Sequence, residues 1–106
     1  MADLQHECGI AALYHLPGAG KSPLTPHGGP NNVSRLMPRV LLDLQNRGQL
    51  AAGFTTYNPH REQILDTYKQ IGTVIEAFRL NHPGKAENIQ REFAGRAAIG
   101  HVRYAT

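Results

Sequence analysis

The sequence predicts an α+β domain, in which an antiparallel sheet and helices form separate layers. Short apolar runs typical of strands occupy residues 8–14, 51–57 and 96–104. A helical repeat of apolar residues lies over 33–44, and a strand-like run at 63–69 follows 51–57 after a short turn. Neighbouring strands that form a hairpin favour this class over a doubly wound βαβ fold.

The first strand and the loop after it are predicted from composition. Residues 8–14 are continuously apolar, which is typical of a buried strand. Residues 16–32 contain four glycines and four prolines, so we expect an irregular loop. Asn31 and Asn32 end that loop and are suited to cap a helix.

The helical repeat contains one residue that a helix interior disfavours. Pro38 removes a backbone hydrogen bond and crowds the preceding turn, so the helix either kinks there or begins its regular part there. Gly48 is well placed to stop the helix. The apolar residues recur at three- and four-residue steps and share one face: Val33, Leu36, Met37, Val40, Leu41 and Leu44.

The second half of the chain completes the layers. Residues 58–61 predict a turn, because asparagine and proline favour reversals. Short helices are expected within 71–80 and 85–93, before a closing strand over 96–104.

Composition excludes several function classes. The chain has 106 residues, of which 41% are hydrophobic and 18% charged, so we expect a folded domain. Its net charge of +3 comes from scattered basic residues, and nucleic-acid binding is not expected. No apolar stretch predicts a membrane span and no secretory signal opens the chain. One cysteine and six dispersed histidines predict neither a disulfide nor a metal site, so we expect a cytoplasmic, metal-free chain.

Cys8 is the candidate nucleophile. A lone cysteine in an apolar strand is ordinarily a small buried hydrophobe. Here Gly9 follows it, and removal of residues 1–7 would make Cys8 the first residue. A free α-amine has a reference pKa of about 7.7–8.0 and can take the thiol proton as a built-in base. An amide nitrogen cannot, so this hypothesis requires that a propeptide of residues 1–7 be removed.

Two further segments carry residues with possible roles. Arg103 offers a planar guanidinium that can hold a carboxylate through two hydrogen bonds, although an exposed arginine at a sheet edge explains it equally well. Arg47 and Gly48 fit the end of a helix, where a cation and a glycine are favoured for structural reasons alone.

Three segments in this order resemble the start of a class II glutamine amidotransferase. They are residues 8–10 (Cys-Gly-Ile), residues 44–49 (Leu-Gln-Asn-Arg-Gly-Gln) followed by Ala52-Gly53, and residues 99–106 (Ile-Gly-His-Val-Arg-Tyr-Ala-Thr). Each motif is weak evidence alone, but three motifs in this order, spread over nearly the whole chain, are strong evidence together.

Within that class, the three motifs are most similar to those of the amidophosphoribosyltransferases. Gln49, Val102 and Tyr104 favour them over the family that makes glucosamine 6-phosphate. Asn46 departs from the pattern, since the amidophosphoribosyltransferases usually have histidine at this position. The resemblance implies the glutaminase part of an enzyme that supplies ammonia for making phosphoribosylamine from phosphoribosyl pyrophosphate, the first step of purine synthesis.

The resemblance also implies a fold and a set of roles. The fold would be part of an N-terminal-nucleophile hydrolase, a four-layer αββα sandwich, with residues 8–106 as its amino-terminal part. Cys8 would be the nucleophile, and Arg103 and Thr106 would bind glutamine. The supporting residues would be Arg47, Gly48, His101 and Tyr104.

Other expectations concern what the full protein would need. The chain ends directly on its last motif, so we expect a fragment that is inactive alone and lacks the oxyanion-hole residues. No cofactor is expected in this segment, Mg²⁺ would serve the phosphoribosyltransferase domain, and an iron–sulfur cluster stays open. A homo-oligomer without nucleic-acid or membrane partners is expected. Two alternatives remain, namely another class II amidotransferase and a non-catalytic regulatory or binding relative.

Overall fold

The computed structural model describes residues 8–18, 23–24, 29–45 and 49–104. Within these ranges, no helix is long and apolar enough to cross a membrane. The elements follow in chain order as β1 (Gly9–Tyr14), α1 (Val33–Leu44), β2 (Gln49–Tyr57), β3 (Leu65–Ile71), α2 (Val74–Ala77), α3 (Pro83–Glu92) and β4 (Ala97–Tyr104).

The four strands form one antiparallel sheet in the order β1-β4-β2-β3. The last strand therefore lies between the first and the second, and β1 and β3 form the edges. The predicted α+β class is confirmed, because a hairpin and a returning strand build the sheet and the helices pack against it.

The strand predicted at 8–14 is present as β1, but the expectation that it is buried is wrong. Its residues alternate between half-buried and exposed, and Ile10 and Tyr14 are 74% and 55% exposed. The physical reason is its place in the sheet: β1 pairs with β4 alone, and every second side chain points to a face that the described residues leave open.

Helix α1 covers the other face of the sheet. It begins at Val33 and contains Pro38, so the alternative of a regular start near Pro38 is wrong. Asn32 is the N-cap residue, but its side chain makes no capping hydrogen bond. The helix ends at Leu44, and the Gln45 N–H closes it on the Leu41 carbonyl oxygen at 3.0 Å, so the stop comes before the predicted Gly48.

The predicted hairpin is confirmed as β2 and β3, with β3 two residues later than expected. Arg61 fixes the turn between them. Its guanidinium donates to the carbonyl oxygens of Gln63 at 2.7 Å, Ala94 at 2.9 Å and Thr56 at 3.2 Å. One arginine thus joins the hairpin to the segment before β4.

Both short helices are confirmed with shifted ends. Helix α2 starts with a capping box, in which the Thr73 hydroxyl accepts from the Glu76 N–H and the Glu76 carboxylate accepts from the Thr73 N–H. Helix α3 begins at Pro83, where a missing N–H costs nothing.

The core lies between the sheet and the helices, and Phe54 of β2 is at its centre. The Phe54 ring is fully buried and lies 5.0 Å from the ring of Phe78, 5.7 Å from that of Phe93 and 6.2 Å from that of Tyr68, measured between centroids. Such tilted and edge-on contacts are favoured between aromatic rings. On the α1 side, Met37, Leu41 and Val102 are also fully buried.

Candidate active site

Strand β4 divides its side chains between two environments. Ala98, Gly100, Val102 and Tyr104 are buried beneath the helices, whereas Ala97, Ile99, His101 and Arg103 point to the opposite face. We call this opposite side of the sheet the open face. Because directly paired residues of antiparallel strands share a face, the register assigns the neighbouring strands to it as well.

Cys8 precedes β1 at the end of the sheet where β4 finishes. The last pair of the ladder joins Gly9 to Val102, so one further step brings Cys8 level with Arg103. The Cys8 thiol is exposed. The two residues that sequence reasoning assigned to nucleophile and carboxylate binding therefore lie on adjacent strands at one end of the sheet.

Gly9 explains how β1 reaches this position. A Cβ placed on Gly9 would lie 2.9 Å from the Val102 side chain and 3.2 Å from the Leu44 Cβ, closer than carbon atoms approach without movement. A larger residue would push the start of β1 away from β4 and α1. The glycine after Cys8 thus holds the nucleophile candidate close to the strand that carries Arg103.

Arg103 is exposed on the open face. Among the residues that the structure describes, its guanidinium has no hydrogen-bond or ion-pair partner. A cation that is unpaired and accessible is available for a carboxylate from a ligand.

His101 lies two residues before Arg103 on the same face and is half-buried. Burial, with a smaller contribution from the positive charge of Lys69, lowers the pKa of the imidazole below its usual value. Both effects favour the neutral form of the ring.

Tyr104 is buried on the helix side of β4, away from Arg103. Its hydroxyl donates to the Leu44 carbonyl oxygen at 3.1 Å. Tyr104 can influence the open face only through the β4 backbone, which it fastens to the end of α1.

Arg47, Gly48 and Thr106 lie outside the described residues, as does the segment 1–7. The residues flanking 46–48 are well anchored. The Gln45 side-chain oxygen accepts from the Val74 N–H at 3.0 Å, and the Gln49 amide donates to the Gly72 carbonyl oxygen at 2.6 Å. Both glutamines thus connect the ends of this segment to the start of α2.

Sequence reasoning missed Lys69 as a neighbour of the candidate site. Lys69 faces His101 across β2, and only the pairing register of three strands brings the two together. No local signal in the sequence indicated this partner, because strand register is set by pairing along the whole ladder. Within the described ranges, no cluster of three histidine, cysteine, aspartate or glutamate residues is arranged to hold a metal ion.

No model of a known protein family matches the chain, and no solved structure matches it. Curated proteins do. The chain is 36% identical over 102 residues to amidophosphoribosyltransferase 1, chloroplastic, of Arabidopsis thaliana, which covers 96% of the chain and 14% of that protein. It is 31% identical over 105 residues to the amidophosphoribosyltransferase of Methanothermobacter thermautotrophicus, covering 99% of the chain and 18% of the relative.

A third relative is the amidophosphoribosyltransferase of Archaeoglobus fulgidus, 33% identical over 99 residues, which covers 93% of the chain and 17% of that protein. The chain thus spans less than one fifth of the length of each of these relatives. Similarity over more than nine tenths of the chain to plant and archaeal proteins of one name confirms the resemblance. Over almost its whole length, the chain is therefore homologous to amidophosphoribosyltransferases.

Proposed function

We propose that this chain is the amino-terminal part of the glutaminase domain of an amidophosphoribosyltransferase, with Cys8 as the nucleophile that attacks glutamine. One observation carries the proposal. The exposed Cys8 thiol and the Arg103 guanidinium, which has no partner among the described residues, lie level with each other at one end of the open face. A nucleophile beside a carboxylate-binding group is what hydrolysis of an amino-acid side chain requires.

The finer fold proposal is that this sheet is one half of a four-layer αββα sandwich of the N-terminal-nucleophile hydrolase type. The open face supports it, because Ile10, Ile99 and Leu65 are 74%, 60% and 61% exposed there. An apolar depression of about 360 Å³ runs along this face between Tyr14 and Leu65. A second sheet packed on it would bury this surface, as aligned sheet packing does elsewhere.

The proposed chemistry begins with removal of residues 1–7, which frees the α-amine of Cys8. That amine takes the thiol proton, and the thiolate attacks the carboxamide carbon of glutamine. The α-ammonium of Cys8 returns its proton to the leaving nitrogen, so ammonia leaves, the α-amine is neutral again and a thioester to Cys8 remains. Water then hydrolyses the thioester to glutamate and frees the thiol. Donors outside this chain would stabilise the oxyanion, and losing one such donor typically costs about 2.7–4 kcal/mol.

Arg103 would hold the α-carboxylate of glutamine through its planar fork, with Thr106 beside it. Arg47 and Gly48 would support the pocket from the segment that Gln45 and Gln49 anchor on either side. Tyr104 would keep the end of β4 in place, and His101 would line the same end of the open face.

The rest of the reaction would take place in a separate phosphoribosyltransferase domain. Ammonia, shielded from water, would attack C1 of phosphoribosyl pyrophosphate and give phosphoribosylamine and pyrophosphate. Mg²⁺ would serve that domain. We further propose a homo-oligomer acting on glutamine and phosphoribosyl pyrophosphate, without nucleic-acid or membrane partners. We propose a cytoplasmic location, although the Arabidopsis relative is named chloroplastic.

The decisive experiment replaces Cys8 in the full-length protein. Cys8→Ala is expected to abolish the glutamine-dependent reaction and to preserve the reaction driven by added ammonium, since the acceptor domain is untouched. Both rates are measured as pyrophosphate released from phosphoribosyl pyrophosphate. Glutamine-dependent turnover that persists in Cys8→Ala would refute the assignment. The ammonia-driven rate is the control for folding.

A further inference from the structure

Four residues form a row across the open face. The register pairs His101 with Gly53 of β2, and Gly53 with Lys69 of β3. On its other side, His101 pairs with Ile10 of β1. Lys69, Gly53, His101 and Ile10 therefore follow one another at the same level of the sheet, two residues along β4 from Arg103.

Within this row, Gly53 lies between Lys69 and His101. A Cβ placed on Gly53 would lie 2.5 Å from the Tyr68 carbonyl oxygen and 2.7 Å from the Lys69 Cβ, so no other residue fits without a shift of the β3 backbone. No side chain therefore stands between Lys69 and His101. The glycine of the Ala52-Gly53 motif makes the approach of lysine to histidine possible.

The charges around His101 are few. Lys69 faces it across Gly53, Arg103 lies two residues along β4, and the Cys8 thiol lies diagonally across on the β1 side. Diagonal neighbours in a sheet are about 7–8 Å apart. Ile10 and Gly53, its direct neighbours, carry no charge. Among the described residues, no carboxylate forms an ion pair with Lys69 or Arg103, and Lys69 is the charged group that acts on the imidazole.

We propose that Lys69 is a positioning residue of the glutaminase site, acting through His101 to keep its imidazole from donating a proton to the ammonia released beside Cys8. This inference rests on the proposed function. Ammonia released beside an imidazolium would take its N–H proton, leaving neutral imidazole and an ammonium ion without a lone pair for attack. Burial and the positive charge of Lys69 oppose protonation of His101, so the released ammonia keeps its lone pair.

The alternative is that Lys69 is an exposed lysine with no influence on the reaction. The two cases differ in pH dependence. Because Lys69 lowers the pKa of His101, its removal raises that pKa, and the imidazolium forms at a higher pH than before. Burial makes the larger contribution and remains, so the shift is partial.

The test measures two products of the full-length enzyme across a pH series, glutamate and pyrophosphate, with glutamine and phosphoribosyl pyrophosphate as substrates. Their ratio reports how much released ammonia is transferred. In Lys69→Gln, the pH at which pyrophosphate per glutamate falls to half is expected to move upward. In Lys69→Arg, which keeps the charge, it is expected to stay at the wild-type value.

A His101→Gln background provides the matched control. We call the pH at which pyrophosphate per glutamate falls to half the half-point. With the titrating ring removed, adding Lys69→Gln should no longer move the half-point. An unchanged half-point in the single Lys69→Gln variant would overturn the inference, and so would an equal loss at every pH, which indicates a structural role. Ammonia-driven activity shows that a variant is folded. If Lys69→Gln lacks this activity, Lys69→Met is measured in its place.

The two proposals fail in different ways. If the wild-type enzyme forms no glutamate from glutamine, the proposed function fails and this inference fails with it. If the wild type forms glutamate and pyrophosphate but the half-point is the same in Lys69→Gln as in wild type, only the role of Lys69 is refuted.

Discussion

The hydroxyl of Tyr104 donates a hydrogen bond of 3.1 Å to the carbonyl oxygen of Leu44, joining the last residue of β4 to the last residue of α1. Both ends lead into segments that carry proposed site residues. The strand end presents Arg103, and the helix end leads to Arg47. This hydrogen bond therefore joins the end of the strand that carries Arg103 to the end of the helix that precedes Arg47.

Tyr104→Phe tests this connection. Removing the hydroxyl leaves a buried carbonyl with one partner fewer, and we expect a loss of about 1 kcal/mol in the free energy of unfolding. Urea unfolding of the chain with and without the substitution measures it. Tyr57→Phe, at an exposed position, is the matched control and should be neutral. Equal stability of Tyr104→Phe and wild type would show that the bond contributes nothing.

Phe54→Ala tests the core. The ring is fully buried among Phe78, Phe93 and Tyr68, so its removal leaves a cavity and should cost about 3–5 kcal/mol of unfolding free energy. Phe54→Leu keeps most of the volume and should cost clearly less. Denaturant titration checks both values. Similar small losses for the two variants would place the centre of the core elsewhere.

Arg103→Lys tests carboxylate binding in the full-length enzyme. A point charge replaces a planar fork, so the KM for glutamine should rise strongly while ammonia-driven turnover stays the same. Steady-state kinetics with glutamine and with ammonium measure the two. Arg91→Lys, whose ion pair with Glu87 lies at the surface of α3, should leave both rates unchanged. A KM for glutamine unaffected by Arg103→Lys would remove this residue from the site.

The mature amino terminus tests the proposed base. Only a free α-amine on Cys8 can accept the thiol proton, so active full-length protein should begin at Cys8. Intact-mass and amino-terminal peptide mass spectrometry of the purified enzyme decide the matter. Active protein that retains Met1 or Ala2 would contradict the mechanism.

Local patterns were sufficient for most elements. The three- and four-residue spacing of Val33, Met37 and Leu41 predicted α1 and its buried face, since helical periodicity depends only on nearby residues. The hairpin followed in the same way from two strand-like runs and the turn between them. Boundaries were less accurate: α1 extends through Pro38 and ends at Leu44, because contacts with the sheet outweigh the propensities of single residues.

At the candidate site, too, some features follow from short-range sequence patterns and others from tertiary structure. The sequence by itself determined the strands and helices, the nucleophile candidate Cys8 and the candidate carboxylate ligand Arg103, because residue type and short-range spacing carry that information. Only the tertiary structure decided that β4 inserts between β1 and β2, which brings Cys8 level with Arg103 and Lys69 opposite His101. Pairing between distant strands depends on the register of whole ladders and on burial of a shared face, and neither is encoded in any short segment.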